Sequence, residues 1–389
     1  MTIYHDVRFV FWAVGLMVGA GIYALIGDIV ETSGKWAPGM FTIAWVVMQL
    51  NGVALAGTVR RFPHAGSILA VIKQTTHPWV AVAFEILRLF EGGLALCVTS
   101  KLTTRFFVRL AWGPHVEPNA AMEICLLIAV AFVLYRGIDS AMDLGNIGTV
   151  IEVSGLLLVI GAAVILPTEP SLTTSQPVSL SMRDATVSVT KIVFAYGGIQ
   201  GLLDVAGDLA KADDEQDVDK ITPHVVTLSI AVTGLMYTSV CCAAISMVGA
   251  DGLTKQAVNP LGMVLETVGF PIGTEATLTL ISLISVGNTC VCIFTFVSRI
   301  ALSLVKHVAS GYSCHPSLIY LLMVGGAAIT GQLFDIFALA ERVGVMLLIT
   351  FAVLDYAYVT SIAQSFGEKA CGSVAFACSC GLVIVELFM

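Results

Sequence analysis

The amino-acid sequence predicts an all-α integral membrane protein of about eleven transmembrane helices, of which the first and the sixth are broken at mid-membrane. Apolar runs of about 17–25 residues, each long enough to cross a bilayer, recur along the whole chain. Only 12% of the 389 residues are charged, and the mean hydropathy is +0.92, whereas a soluble domain has about 25% charged residues. Glycine clusters fall inside the first and sixth runs.

The loops between the apolar runs are mostly short and leave no room for a soluble domain, so residues 1–389 are predicted to form one polytopic membrane domain. The predicted spans are residues 8–29, 38–59, 79–102, 120–136, 146–166, 186–207, 223–248, 276–306, 317–333, 337–360 and 371–388. Residues 61–78 predict a short amphipathic helix bounded by prolines, and the charged run of 208–222 predicts a solvated loop.

The first span contains three glycines, Gly15, Gly19 and Gly21, about halfway along its length. Glycine stabilises a helix least, so the helix is expected to break there. A break frees backbone N–H and C=O groups where no water is present, and such groups persist only if they line a cavity or bind a ligand. The alternative is that these glycines only allow neighbouring helices to pack closely.

The sixth span repeats this feature in the segment Phe194–Gly201, which reads FAYGGIQG. If spans one to five (8–166) and six to ten (186–360) form two repeats, the two breaks occupy corresponding positions. Five spans per repeat give the repeats opposite orientations in the membrane, with 371–388 as an extra C-terminal helix. Two broken helices five spans apart predict the leucine-transporter (LeuT) type of 5+5 inverted-repeat fold.

Four local motifs, in this order along the chain, carry a family resemblance. They are Gly19-Ala20-Gly21-Ile22-Tyr23, Arg61-Phe62-Pro63-His64-Ala65-Gly66-Ser67, Phe194-Ala195-Tyr196-Gly197-Gly198-Ile199-Gln200 and Ser298-Arg299. Together they resemble an amino acid permease of the amino acid–polyamine–organocation (APC) superfamily. The resemblance implies secondary transport by alternating access, with the substrate held at the two breaks.

The chain also departs from this family. Most members have twelve spans, whereas eleven are predicted here, which leaves homo-oligomerisation and accessory subunits open. Gln200 stands where the family has an acidic residue in helix 6, and the loop after Asp208 lacks the family's asparagine and proline.

The two breaks predict a substrate site made mainly of backbone groups. Freed N–H groups at the start of a half-helix suit a carboxylate, and freed carbonyl groups at the end of one suit an ammonium group. Neither break carries an acid or a base. The substrate-binding candidates are Gly19, Ala20, Gly21, Ile22, Phe194, Ala195, Tyr196, Gly197 and Gly198. The resemblance implies that Phe194 closes over the substrate; packing in the core or against lipid is the alternative.

Glu152, in the fifth span, is the leading candidate for ion coupling. Several proton-coupled permeases have a lysine near this position. A buried carboxylate favours its protonated form, so Glu152 is suited to bind a proton or to help hold a cation, or it is an interfacial residue. Ser285, Asn288 and Thr289 of the eighth span offer hydroxyl and amide groups for the same site. The coupling ion stays open.

Three ionisable residues of the third span, Glu85, Arg88 and Glu91, fall at i, i+3 and i+6 and share one helix face. We expect a structural ladder of ion pairs, with a substrate or proton pathway as the alternative.

The remaining features define the class of function. The sequence offers no nucleophile–base pair, metal-ligand cluster or phosphate-binding loop, so we expect no enzyme activity, no metal and no cofactor. The predicted function is amino acid transport, proton-coupled or by exchange, as an antiporter or a symporter. A polyamine or other amine metabolite exchanger, or a transporter-like amino acid sensor, is the alternative. Expected partners are an amino acid or amine substrate and membrane lipid, with no nucleic acid.

The Lys and Arg residues of the short loops predict the orientation. Their modest excess on the side that includes Arg60 and Arg61 favours a cytoplasmic N-terminus. Eleven spans then bring the C-terminus to the opposite face, in a plasma or inner membrane.

Overall fold

A computed structural model describes most of the chain as helix. The described residues are 2–62, 68–113, 115–135, 138–166, 180–201, 223–254, 259–270, 274–308 and 315–388, and within them the model contains no strand. Residues 63–67 of the second motif, Asp208 and the charged run of 208–222 lie outside the described residues.

The first predicted span is divided into three helical pieces. Helix α1 (Thr2–Met17) ends before Val18 and Gly19, α2 (Ala20–Tyr23) forms a single turn, and α3 (Ile26–Ser33) follows Ala24 and Leu25. Gly19 is extended, with φ 171° and ψ −124°. The helix is therefore interrupted first at Val18 and Gly19, and again at Ala24 and Leu25, after the four residues of α2.

The middle helices follow in the predicted order. They are α4 (Ala37–Arg61), α5 (Ile68–Thr75), α6 (Pro78–Trp112), α7 (Ala120–Tyr135), α8 (Ile138–Ile165) and α9 (Met182–Phe194). Helix α5 is the short helix predicted between the second and third spans. Helix α6 continues ten residues beyond the predicted end of its span, because Lys101, Arg105 and Arg109 are compatible with a helix although they interrupt the apolar run.

The helical run of the sixth span also breaks at its glycines. Helix α9 ends at Phe194, residues 195–198 form turns, and residues 199–201 are helical again. Within the turns, the N–H of Tyr196 donates to Val193 O and that of Gly197 to Phe194 O, both three residues back. The hydrogen bonds here therefore follow the tighter 3₁₀ pattern.

The second half continues with six further helices. They are α10 (Pro223–Thr254), α11 (Pro260–Thr267), α12 (Thr274–Val308), α13 (Pro316–Leu333), α14 (Ile336–Ala357) and α15 (Phe366–Phe388). A π-helical turn, Tyr358–Ile362, ends α14. Helix α11 is missing from the predicted elements; Pro260 opens it, and the Asn259 side chain caps it by accepting from the Gly262 N–H.

Seven helical stretches of the described residues are long and apolar enough to cross a membrane. They are Ile26–Arg61, Gly145–Ile165, Pro223–Leu253, Glu275–Val305, Pro316–Leu333, Ile336–Ile362 and Phe366–Phe388. The first and sixth predicted spans are interrupted, α6 contains several charged residues, and Ala120–Leu134 is apolar but shorter. These stretches define a multi-pass membrane protein, while the count of eleven spans stays a prediction.

The helices pack around the interrupted segments. Helix α6 lies along α12, and α4 lies along α10. Helix α1 contacts α8, α10 and α12, and Val18, Ile22 and Tyr196 of the interruptions are fully buried. On the outside, Leu321, Leu322 and Ile329 of α13 are 64–67% exposed, as expected of a face in contact with lipid.

Candidate functional site

The two interruptions lie against each other with glycine at both points of contact. A Cβ atom added to Gly21 would lie only 2.8 Å from Ala195 Cα, and one added to Gly198 would lie 2.8 Å from Leu16 Cβ. Real Cβ atoms do not approach other atoms this closely. The glycines therefore have both of the roles considered for them from the sequence. They interrupt the helices, and they allow the interrupted segments to pack closely.

Neighbouring hydroxyl groups bind the carbonyl oxygens at the ends of α1 and α9. The buried Tyr237 hydroxyl of α10 lies 2.7 Å from Met17 O and 3.3 Å from Ala195 O, so one donor serves both interruptions. Thr289 of α12 donates to Val18 O at 3.2 Å and to Ser285 O at 3.1 Å. Met17 O, Val18 O and Ala195 O lie at helix ends, where carbonyl groups lack partners within their own helix.

A cavity lies between the two interruptions and is closed by three further helices. The first interruption and α1 contribute Leu16, Met17, Ala20 and Gly21, and the second contributes Phe194, Ala195, Gly197 and Gly198. Glu91 and Ala95 of α6, Thr289, Ile293 and Phe296 of α12, and Val343 of α14 complete the lining. The lining is therefore mostly small and apolar, with exposed backbone and one acidic side chain.

Six of the nine predicted substrate-binding residues line this cavity, and three do not. Gly19 packs against Thr289, where an added Cβ would lie 3.0 Å from Thr289 Cβ. Ile22 is fully buried in the core. Tyr196 is fully buried as well, with its ring edge-on to Tyr237 at a centroid distance of 5.5 Å.

Glu91 enters the cavity from α6 and was not among the predicted site residues. Its side chain is 4% exposed. Gln200 Nε2 donates to Glu91 Oε1 at 2.6 Å, and the Thr350 hydroxyl of α14 donates to Oε2 at 2.7 Å. Glu91 thus contacts two segments outside its own helix. The cavity has an acidic group although neither interruption carries one.

The coupling candidate Glu152 lies beside the cavity, in the contact between α1, α8 and α12. It is fully buried, and a Cβ added to Gly15 would lie 3.1 Å from its Oε1. Its carboxylate faces the Thr149 and Ser285 hydroxyls, although neither oxygen reaches hydrogen-bond geometry with a described residue. Its backbone oxygen accepts a 2.5 Å hydrogen bond from Tyr23.

The other coupling candidates are spread along α12. Ser285 is fully buried and belongs to the Glu152 group. Asn288 lies against α8, where its side-chain amide donates to Gly145 O at 3.4 Å. Thr289 contacts the first interruption and lines the cavity. The structure thus brings Glu152 and Ser285 together, and directs Asn288 and Thr289 to different neighbours.

An ion-pair group, formed by Lys191, Asp28 and Glu341, joins both interrupted helices to α14. Lys191 Nζ of α9 lies 2.7 Å from Asp28 Oδ2 of α3 and 4.0 Å from Glu341 Oε2 of α14. The Lys191 side chain is only 9% exposed. This group ties α3 to α9, beyond the interruption from α1.

Helices of this length and hydropathy, packed around two interrupted helices with a cavity between them, define a multi-pass membrane protein. A family model described as amino acid permease matches residues 7–313. The chain belongs to the amino acid permease family.

Its relatives carry transporter names. The chain is 26% identical to the inner membrane transport protein YbaT of Escherichia coli (strain K12) over 281 residues, which are 68% of this chain and 63% of that protein. It is 23% identical over 265 residues to the uncharacterized transporter Rv1999c of Mycobacterium tuberculosis (strain ATCC 25618 / H37Rv), covering 66% of this chain and 55% of that protein. The chain thus spans less than two thirds of the length of either relative.

Proposed function

We propose that the protein is a secondary active transporter of amino acids that works by alternating access, with its substrate held in the cavity between the two interruptions. The observation that carries this proposal is that residues of both interruptions line one cavity. Such a site lies between two segments that can move relative to each other, so each side of the membrane can reach it in turn.

The order of helices supports a LeuT-type 5+5 inverted repeat over 8–166 and 186–360. In both halves an interrupted helix is followed by a long helix, α4 or α10, and then by an eight-residue helix, α5 or α11. Next comes a 35-residue helix, α6 or α12. Helix α4 packs along α10 and α6 along α12, which is compatible with a pseudo-twofold axis between the halves. Helix α15 is then the extra C-terminal helix.

Coupling to a proton, or exchange of one substrate for another, is part of the proposal. Glu152 and Ser285 supply a buried carboxylate and hydroxyl behind the first interruption. A cytoplasmic N-terminus follows from the loop charges. A plasma or inner membrane is supported by the name of the Escherichia coli relative.

Uptake by the purified protein in proteoliposomes tests the function. The panel is a set of labelled amino acids with neutral, acidic and basic side chains, together with labelled 1,4-diaminobutane, each with and without a proton or sodium gradient. Accumulation of an amino acid supports the proposal. Movement of the diamine alone favours the amine exchanger, and specific binding without movement of any compound favours the sensor.

Gly21→Leu tests the site, with Gly161→Leu as the matched control. A side chain at Gly21 meets Ala195, whereas a Cβ at Gly161 of α8 meets nothing within 4 Å. We expect Gly21→Leu to abolish uptake and substrate binding, and Gly161→Leu to retain both, with both variants monodisperse in detergent. Parental uptake by Gly21→Leu would show that the substrate binds elsewhere.

A further inference from the structure

A groove between α14 and α15 opens on the outer surface of the helix bundle, with the junction of α5 and α6 at one end. This α14–α15 groove has a volume of about 770 Å³. Tyr356 of α14 and Ile384 of α15 line it, and each is 56% exposed. The groove shares no lining residue with the cavity between the interruptions, so it is a separate place at which a ligand can bind.

The groove is polar at one end and apolar along the rest of its length. Its polar end is formed by Thr75, Thr76 and His77, where α5 meets α6, and by Thr360 and Ser361 of the π-helical turn. Ile349, Val383 and Ile384 line the opposite end. The helix from Ile349 to Ser361 is about 18 Å long, at 1.5 Å per residue. This length is close to half of the hydrocarbon core of a bilayer, which is about 30 Å thick.

The polar end of the groove lies at the surface of the membrane. One apolar stretch ends at Ile362 and the next begins at Phe366, so the chain turns back at this level. Trp79, two residues after His77, is 76% exposed, and exposed tryptophan and tyrosine side chains are typical of the boundary between lipid and water. The groove therefore runs from the membrane surface to about the depth of one leaflet, as a lipid molecule does.

The polar end offers mainly hydrogen-bond acceptors. The Thr75, Thr76 and Thr360 hydroxyls donate to the carbonyl groups four residues earlier at 2.7–2.8 Å, and the Ser361 hydroxyl donates to Thr75 O at 3.3 Å. Their oxygens keep lone pairs that can accept. His77 Nδ1 accepts from the Trp79 N–H at 3.4 Å, so the neutral ring carries its proton on Nε2 and supplies one donor.

We propose that the α14–α15 groove binds a phospholipid with a primary ammonium headgroup, phosphatidylethanolamine. The ammonium group would donate to the hydroxyl oxygens, the phosphate would accept from His77, and an acyl chain would lie along the apolar part of the groove. None of the described lining residues is Asp, Glu, Lys or Arg, whereas anionic lipids are recognised by clusters of basic side chains. A choline headgroup has no N–H group to donate.

Lipid titration of the purified, delipidated protein tests this site without any transport assay. Phosphatidylethanolamine, phosphatidylcholine and phosphatidylglycerol with identical acyl chains are added in detergent, and thermal stabilisation is followed over a range of concentrations. We expect phosphatidylethanolamine to reach half-maximal stabilisation of the parent at about a tenfold lower concentration than the other two, as one hydrogen bond to a charged group implies.

Two variants change opposite ends of the groove, each with a matched control. Thr360→Val removes an acceptor at the polar end; Thr42→Val is its control, because Thr42 is exposed, makes the same type of hydrogen bond, to Pro38 O at 2.9 Å, and does not line the groove. Ile384→Trp narrows the apolar end; Leu387→Trp is its control, because Leu387 lies on the same helix, is also 56% exposed and does not line the groove.

We expect Thr360→Val to lose severalfold in its preference for phosphatidylethanolamine over phosphatidylcholine, and Ile384→Trp to need several times more phosphatidylethanolamine than the parent, while both controls behave like the parent. Equal stabilisation of the parent by all three lipids, or by none, would overturn the proposal. So would variants that behave like their controls, because the lipid would then bind elsewhere. If one variant does not fold, the variant at the other end decides the result.

Discussion

Among the described residues, the Tyr237 hydroxyl donates to both interruptions, and replacing it with Tyr237→Phe is the most direct test of how they are held together. The substitution removes a single oxygen atom and leaves the aromatic ring to pack as before. In the parent this oxygen lies 2.7 Å from Met17 O and 3.3 Å from Ala195 O. In the variant, two buried carbonyl groups lose a donor in a region without water.

The expected loss follows from the cost of an unsatisfied buried polar group, which is about 1–3 kcal/mol. Unfolding entropy is about 2.1 cal/mol/K per residue near the midpoint. For a chain of 389 residues, this loss corresponds to a fall of about 1–4 °C in the midpoint of thermal unfolding.

Tyr196→Phe is the matched control, because Tyr196 is just as buried and its ring packs against Tyr237. Its hydroxyl has no hydrogen-bond partner among the described residues, so removing that oxygen should leave stability unchanged or raise it. Thermal unfolding of the three proteins in one detergent, followed by size-exclusion chromatography, gives the comparison. Equal losses in both variants, or no loss in Tyr237→Phe, would refute the assigned role of this hydroxyl.

Two further predictions concern transport. Phe194→Ala should reduce the uptake rate about tenfold or more while changing equilibrium binding much less, because a side chain that closes over the substrate acts on the transport cycle; equal effects on uptake and binding would argue against a gate. Glu152→Gln mimics the protonated carboxylate, so if a proton is coupled there it should abolish pH dependence and gradient-driven accumulation but keep substrate exchange. If sodium is bound instead, the same variant should lose sodium-stimulated binding, and parental behaviour in all three assays would exclude Glu152 from coupling.

The interruptions could be predicted because their cause is local. Glycine weakens a helix whatever surrounds it, and the backbone leaves the helical conformation at Gly19, Gly197 and Gly198, while Gly21 lies in the single turn α2. Hydropathy located most of the other helices for the same reason. Hydropathy alone does not give the helix ends, since Trp112 ends α6 ten residues after the apolar run does.

The acidic group and the shared donor of the site could not be predicted, because both depend on which helices meet. Glu91 shares a helix face with Glu85 and Arg88, and the spacing alone favours contacts along that face. Two of its partners, Gln200 and Thr350, are 109 and 259 residues away in sequence. For Tyr237, a lone tyrosine in an apolar run was the available signal, since a buried tyrosine hydroxyl usually finds an acceptor.

The Lys191 ion pairs make the two sides of the cavity unequal. They fasten α3, α9 and α14 to one another on the side of the cavity that lies beyond the interruption from α1. Because these ion pairs hold α3, α9 and α14 together, we expect the cavity to open first on the side of α1. The opening would occur by movement of α1 at the Val18–Gly19 interruption. The acidic side chains of this ion-pair group are partly accessible to solvent, with exposed fractions of 20% for Asp28 and 25% for Glu341. Lys191 itself is only 9% exposed, so salt screens these pairs less than it screens exposed ones, and the ion pairs should hold at ordinary ionic strength.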